Sequence, residues 1–225
     1  MAEKQIPIYE GTLRKFRLKI PDVISKCSGI KIFDRRIKSL VFTTDACIIC
    51  NCNADAVIAV YPFTPQPIIM RSVMLAANVP VFAGVGGGLT RGSRVIDLAH
   101  DAEFEGAFGV VVNAPTINET IIELKKRIDI PIVLTVVSES DDIGERLKAG
   151  ASILNVSAGS KTASIVKKIR SDFPEVAIIA TGGPNDESIL ETIEAGANAI
   201  TWTPPSNGEI FRDIMEAYRK GLPHP

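Results

Sequence analysis

The stretch VAIIATGGPNDESILETIEAGANAITWT, residues 176–203, decides the fold. It opens on a short apolar, β-branched run, Val176–Thr181, of the length of a buried strand. The pair Gly182-Gly183 ends that run, a helical segment follows, and Gly196-Ala197 turns the chain back into a second apolar run, Ala197–Thr203. A helix that ends in a left-handed residue needs a position without a side chain, and Gly196 supplies it. Both runs are almost continuously apolar, as parallel strands are when their two faces are both covered.

The same grammar extends upstream. Ser39–Thr44, Ala54–Tyr61, Val79–Val85, Ala107–Asn113, Ile130–Val137 and Ala151–Ser157 read as six further strands. Gly106-Ala107 and Gly150-Ala151 repeat the helix-to-strand return. Thr116–Glu119 and Ser206–Glu209 have the spacing of capping boxes, each ahead of an apolar helical face. Eight strands alternating with helices predict an α/β chain of one domain, a (β/α)8 TIM barrel over residues 39–220 with an N-terminal extension, residues 1–38. Between the first two strands only Asp45–Asn53 remains, so a short or replaced helix is expected there. The extension is expected to cover the open bottom of the barrel or the flank left by that helix.

Composition narrows the class of function. Against 46% hydrophobic residues, 25 basic and 26 acidic ones leave a net charge of -1. That balance gives no electrostatic basis for a nucleic-acid or membrane surface. No apolar stretch is long enough to span a bilayer, and Met1–Gln5 is not followed by a signal-peptide core, so a cytoplasmic protein is expected. Cys47, Cys50 and Cys52 crowd together, but a metal would need a fourth ligand from Cys27, His100 or His224. Reduced thiols filling apolar gaps are the expectation, with no metal. His100 reads as a surface residue in mid-helix.

In such a barrel the loops after the strands converge on one face, where function sits. Polar residues at those ends include Asp45, Asn113, Glu139, Ser157, Lys161, Thr181 and Thr203. Asp45 and Glu139 follow opposite strands and are candidates for base and acid, or else cap the helices they precede. Lys161 lies in a loop, suited to contact with an anion more than to a Schiff base. The second glycine cluster, Gly84–Gly88, fits neither dinucleotide nor P-loop spacing. It reads as a mobile loop whose Gly86, Gly87 and Arg91, or Arg94, could meet a ligand.

The segment Ile179-Ala-Thr-Gly-Gly183 with Glu194-Ala-Gly-Ala197 and the last strand resembles the phosphate-binding (β/α)8 barrels, the ribulose-phosphate-binding group with its histidine-biosynthesis and indole-glycerol-phosphate synthase relatives. The resemblance implies a phosphate at Gly182, Gly183, Thr203 and Ser206, near a helix N-terminus. The chain departs from that pattern at Pro204-Pro205, which removes two backbone donors. A tight strand-to-helix turn is the other reading of Gly182-Gly183. The implied function is an isomerase, epimerase or lyase acting on a small phosphorylated metabolite without a cofactor. A non-catalytic sensor resembling glycerol-3-phosphate-responsive antiterminators, or a flavin mononucleotide oxidoreductase, are its alternatives. A homo-oligomer is compatible with all three.

Overall fold

The structure is a computed structural model describing residues 6–9, 11 and 17–224; the opening Met1–Gln5 lies outside the described residues. The extension contributes a hairpin, β1 (Ile30–Ile32) and β2 (Arg35–Ile37). Strands β3 (Ser39–Phe42), β4 (Ala56–Ala59), β5 (Val81–Gly86), β6 (Gly109–Val112), β7 (Ile132–Val136), β8 (Ile153–Val156), β9 (Ala177–Thr181) and β10 (Ala199–Trp202) close an eight-stranded parallel barrel in the order β10-β3-β4-β5-β6-β7-β8-β9. The chain is a (β/α)8 barrel.

Alternation sorts each strand into two buried faces. Leu40, Ile58, Phe82, Val111, Val133, Ile153 and Ile179 fill the barrel, while Val110, Ile132, Leu154, Ile178 and Ile200 pack outward under the helices. Burial on both faces is the physical reason the strands read as unbroken apolar runs. The helices are α1 (Ala46–Asn51), α2 (Pro67–Ala76), α3 (Ser93–Phe104), α4 (Asn118–Arg127), α5 (Ile143–Ala149), α6 (Thr162–Asp172), α7 (Asp186–Glu194) and α8 (Asn207–Arg219). Gly106, Gly150 and Gly196 follow α3, α5 and α7 with φ of 92°, 120° and 113°. One predicted cap is not formed. Thr116 makes no capping bond, because α4 begins one residue late behind Ile117 and the Thr116 hydroxyl turns in beneath Gly87.

Described residues of the extension lie at both of the places considered for it. Ile30, Ile32 and Ile37 join the inner cluster and close the end at which the strands begin, where Phe33 meets Phe108 edge-on. Leu18 exchanges backbone bonds with Asn51 and Asn53, and packs with Ile20 against the short α1. Ile24 and Cys27 lie buried against the outer core. All four cysteines are free. Burial pushes the Cys27 thiol up to about 11 and that of Cys52 up as well. The gap-filling expected of the thiols holds for these two; Cys47 and Cys50 are exposed on α1.

Candidate functional site

The strand ends open on a cleft of about 130 Å³ between the loop after β4, residues 60–66, and the glycine loop after β5. Val60, Gly84 and Val111 line it on the barrel side, and Tyr61, Phe63 and Leu89 at the rim. The glycine loop, expected to be mobile, is crossed by hydrogen bonds. Gly87 N–H donates to Thr90 O at 3.0 Å, Asn113 N–H to Gly86 O at 3.0 Å, and Arg91 Nε to Gly88 O at 2.8 Å. A Cβ on Gly87 would fall 2.6 Å from Asn113 N and 2.8 Å from its O, with φ at +105°. Only Gly88 in this cluster faces open space. The loop delivers the chain to α3, whose N-cap is Gly92; no side chain caps that end and its first turn holds no acid. Arg91 and Arg94 flank it, both exposed.

The second glycine pair is placed differently. Gly182 is buried, and a Cβ there would lie 2.7 Å from Ile189 Cγ1 and 2.8 Å from Ile200 Cγ2. Its N–H is directed at Thr201 O at 3.4 Å. Gly183, with φ of +84°, is exposed and leads into α7, where Asn185 and Ser188 form a capping box and Asp186 and Glu187 occupy the first turn. At α8 the capping box of Ser206 and Glu209 is complete: the Ser206 N–H and hydroxyl both donate to Glu209 Oε2 at 2.7 Å. The Ser206 hydroxyl, and then its backbone N–H, hold the Glu209 carboxyl below its ordinary range. Thr203 stands exposed ahead of the two prolines. The helix ends proposed to greet a phosphate thus carry carboxylates of their own.

Asp45 is engaged as an N-cap. Its Oδ1 accepts from Cys47 N at 2.8 Å and Ile48 N at 3.3 Å, and its Oδ2 accepts from Asn207 Nδ2 at 2.6 Å, tying α1 to α8. Glu139 lines a groove between α5 and α6, because the acidic run forms the turn that Asp142 closes by accepting from Glu145 N at 3.0 Å. Lys161 is exposed at the end of the 3-10 turn Gly159–Lys161. Of the pair expected to flank a substrate, Asp45 thus takes the helix-capping place that was its other reading, and Glu139 lines the groove between α5 and α6. His100 meets Phe104 edge-on along α3, with ring centroids 4.4 Å apart. Among the described residues, no group of three or more His, Cys, Asp and Glu side chains is placed to hold a metal ion.

The strand ends also carry a set of inward-facing residues, of which Thr135 and Asn155 were not anticipated from the sequence. Thr135, Asn155, Thr181 and Thr201 lie two positions beyond Val133, Ile153, Ile179 and Ala199, which face the barrel axis. They form a neutral polar tier above the apolar core. Asn155 Nδ2 donates to Thr135 Oγ1 at 3.4 Å, and Thr181 Oγ1 to Ser157 Oγ at 3.1 Å. The signal in the sequence is a polar residue two positions after an apolar one in each of four strand runs.

No family model matches the chain, and no curated protein matches it in sequence. Solved structures share its fold. A 2,3-dimethylmalate lyase of the PEP mutase/isocitrate lyase superfamily superposes with a TM-score of 0.63 at 14% identity, over 82% of this chain and 83% of that one. A phosphonopyruvate hydrolase solved with oxalate and Mg²⁺ gives 0.62 at 11%, over 83% and 84%. Thiamine phosphate pyrophosphorylase from Pyrococcus furiosus gives 0.55 at 16%, over 73% and 84%. These similarities define the class, a (β/α)8 barrel. No helix among the described residues is long and apolar enough to cross a membrane.

Proposed function

We propose that the chain binds a small phosphorylated metabolite in the cleft beside the glycine loop, and that it acts as a binding or sensing protein without general acid–base chemistry. One observation carries this reading: the cleft is lined by Gly88, Leu89 and Thr90, and the chain runs on from them through Arg91 and Gly92 into the uncapped, acid-free first turn of α3 with Arg94, while Asp45 and Glu209 are engaged as helix caps. A helix N-terminus with free N–H groups and nearby guanidinium groups favours an anion. The test is calorimetric titration of a panel of phosphate esters and their dephosphorylated parents. Arg94→Ala should weaken the esters at least tenfold and leave the parents unchanged; equal affinity in both proteins would overturn the reading.

A second reading, lyase or isomerase chemistry on a phosphorylated substrate, draws on the names of the structural neighbours, a lyase and a hydrolase, and on a carboxylate at the end of β3. It predicts that Asp45→Asn lowers turnover by roughly 10²–10⁴ with ligand affinity retained. A variant changed only in stability would leave the binding reading standing alone.

A further inference from the structure

Thr201 and Asn155 are 6% and 8% exposed, and Thr201 Oγ1 and Asn155 Oδ1 have no hydrogen-bond partner. Each sits on the barrel-facing side of its strand, β10 and β8, with the Thr181–Ser157 hydroxyl pair on β9 and the end of β8. A buried hydroxyl without a partner lowers the stability of the empty protein, and valine in its place would have the same shape without that cost. Thr192 shows the ordinary arrangement: it is 3% exposed, and its hydroxyl donates to Ser188 O at 2.9 Å.

We propose that Thr201 and Asn155 seat an uncharged hydroxyl or amide group of the ligand, which enters from the cleft and reaches the barrel axis; this deepens the binding reading above and rests on it for the location of the anionic end. The chemistry follows from the partners. Asn155 Oδ1 can only accept, so the ligand must donate; the Thr201 hydroxyl can do either. A group that both donates and accepts satisfies the two. A charged end does not fit, since Thr135, Asn155, Ser157, Thr181 and Thr201 are all neutral and a phosphate or ammonium set among them would be buried without a counter-charge. The ligand class is therefore a polyol- or amide-bearing phosphate ester, neutral end inward.

The experiment compares erythritol 4-phosphate, n-butyl phosphate and erythritol on the full chain, by calorimetry and thermal melting, in wild type, Thr201→Val and Thr192→Val. In wild type, erythritol 4-phosphate should bind at least tenfold tighter than n-butyl phosphate. Thr201→Val should melt higher than wild type when empty and bind the two esters within twofold of each other, with n-butyl phosphate unaffected. Thr192→Val should melt lower and keep the discrimination. Binding of erythritol alone, lost in Thr201→Val, would support the inner seat while removing the phosphate reading. Three results overturn the proposal: a lower melting point of empty Thr201→Val, which would mean a resident water already serves the hydroxyl; discrimination that survives the substitution; or no binding of any of the three probes.

Discussion

The two glycine clusters look alike in sequence and differ in what they launch. Both follow barrel strands, both contain left-handed residues, and in both an added Cβ would meet packed atoms. After Gly182-Gly183 the chain enters α7 through a complete capping box with Asp186 and Glu187 in the first turn. After Gly84–Gly88 it enters α3 through Gly92, without a side-chain cap or an acid, between Arg91 and Arg94. Glycines thus report how closely backbones approach. The charges and caps of the first helical turn report whether an anion is welcome. That criterion is why the proposed anion site is put at α3 and not at the pair whose spacing resembles a phosphate cup.

The largest effect should come from Gly87→Ala. Its Cβ would press on Asn113 backbone atoms, which cannot rotate away, at a φ of +105° that alanine rarely adopts. Backbone strain and overpacking together give a loss of roughly 2–5 kcal/mol. For a chain of this size that lowers the melting temperature by roughly 5–15 °C. Gly88→Ala, one residue on and facing open space, is the control and should melt like wild type. If both melt alike, the loop is not pinned and the contrast between the clusters fails.

Gly183→Ala should cost less. Its Cβ would meet Ser188 Oγ at 2.5 Å, which can turn aside at the expense of the α7 cap, and Ser188 Cβ at 2.9 Å, which needs a small shift of the first turn of α7. Strain and a lost cap amount to roughly 1–3 kcal/mol. Phosphate-ester affinity should be unchanged, because the anion end is assigned to α3. A tenfold loss of affinity in this variant would return the phosphate to the Gly183 turn.

The barrel was legible because its strands are covered on both faces, which leaves apolar runs punctuated by glycine returns. Every one of the eight barrel strands falls within one residue of the predicted runs. The hairpin Ile30–Ile37 was not read, since its turn at Phe33-Asp34 lacks glycine and Phe33 adopts a left-handed φ of 49°. The site was less legible, for a geometric reason. Asp45, Glu139 and Lys161 are charged residues at strand ends, and a carboxylate there serves equally as a helix cap, as Asp45 does, which the spacing alone does not separate from catalysis. Asn155 sits in Ile-Leu-Asn-Val, where its direction depends on strand parity fixed only by the closed barrel.

The smallest effect, and the sharpest on the comparison, concerns the pH response of the two capped helices. At α8 the cap is an anion: Ser206 donates twice to Glu209, and the Glu209 carboxyl is held below its ordinary range. Because the folded value is lowered, the carboxylate's contribution is present at and above the ordinary carboxylate range, and is lost as pH falls through the folded value. At α7 the box is made by Asn185 and Ser188, neither of which titrates in that range. Amide exchange read by NMR should therefore show the Ser206 N–H losing protection as pH falls, while the Ser188 N–H loses none on account of its cap. Ser206→Ala should raise the Glu209 carboxyl toward its ordinary value, with no change at α7. A Glu209 titration indifferent to Ser206 would mean that its carboxylate does not hold the α8 terminus, which would reopen that helix end to a phosphate.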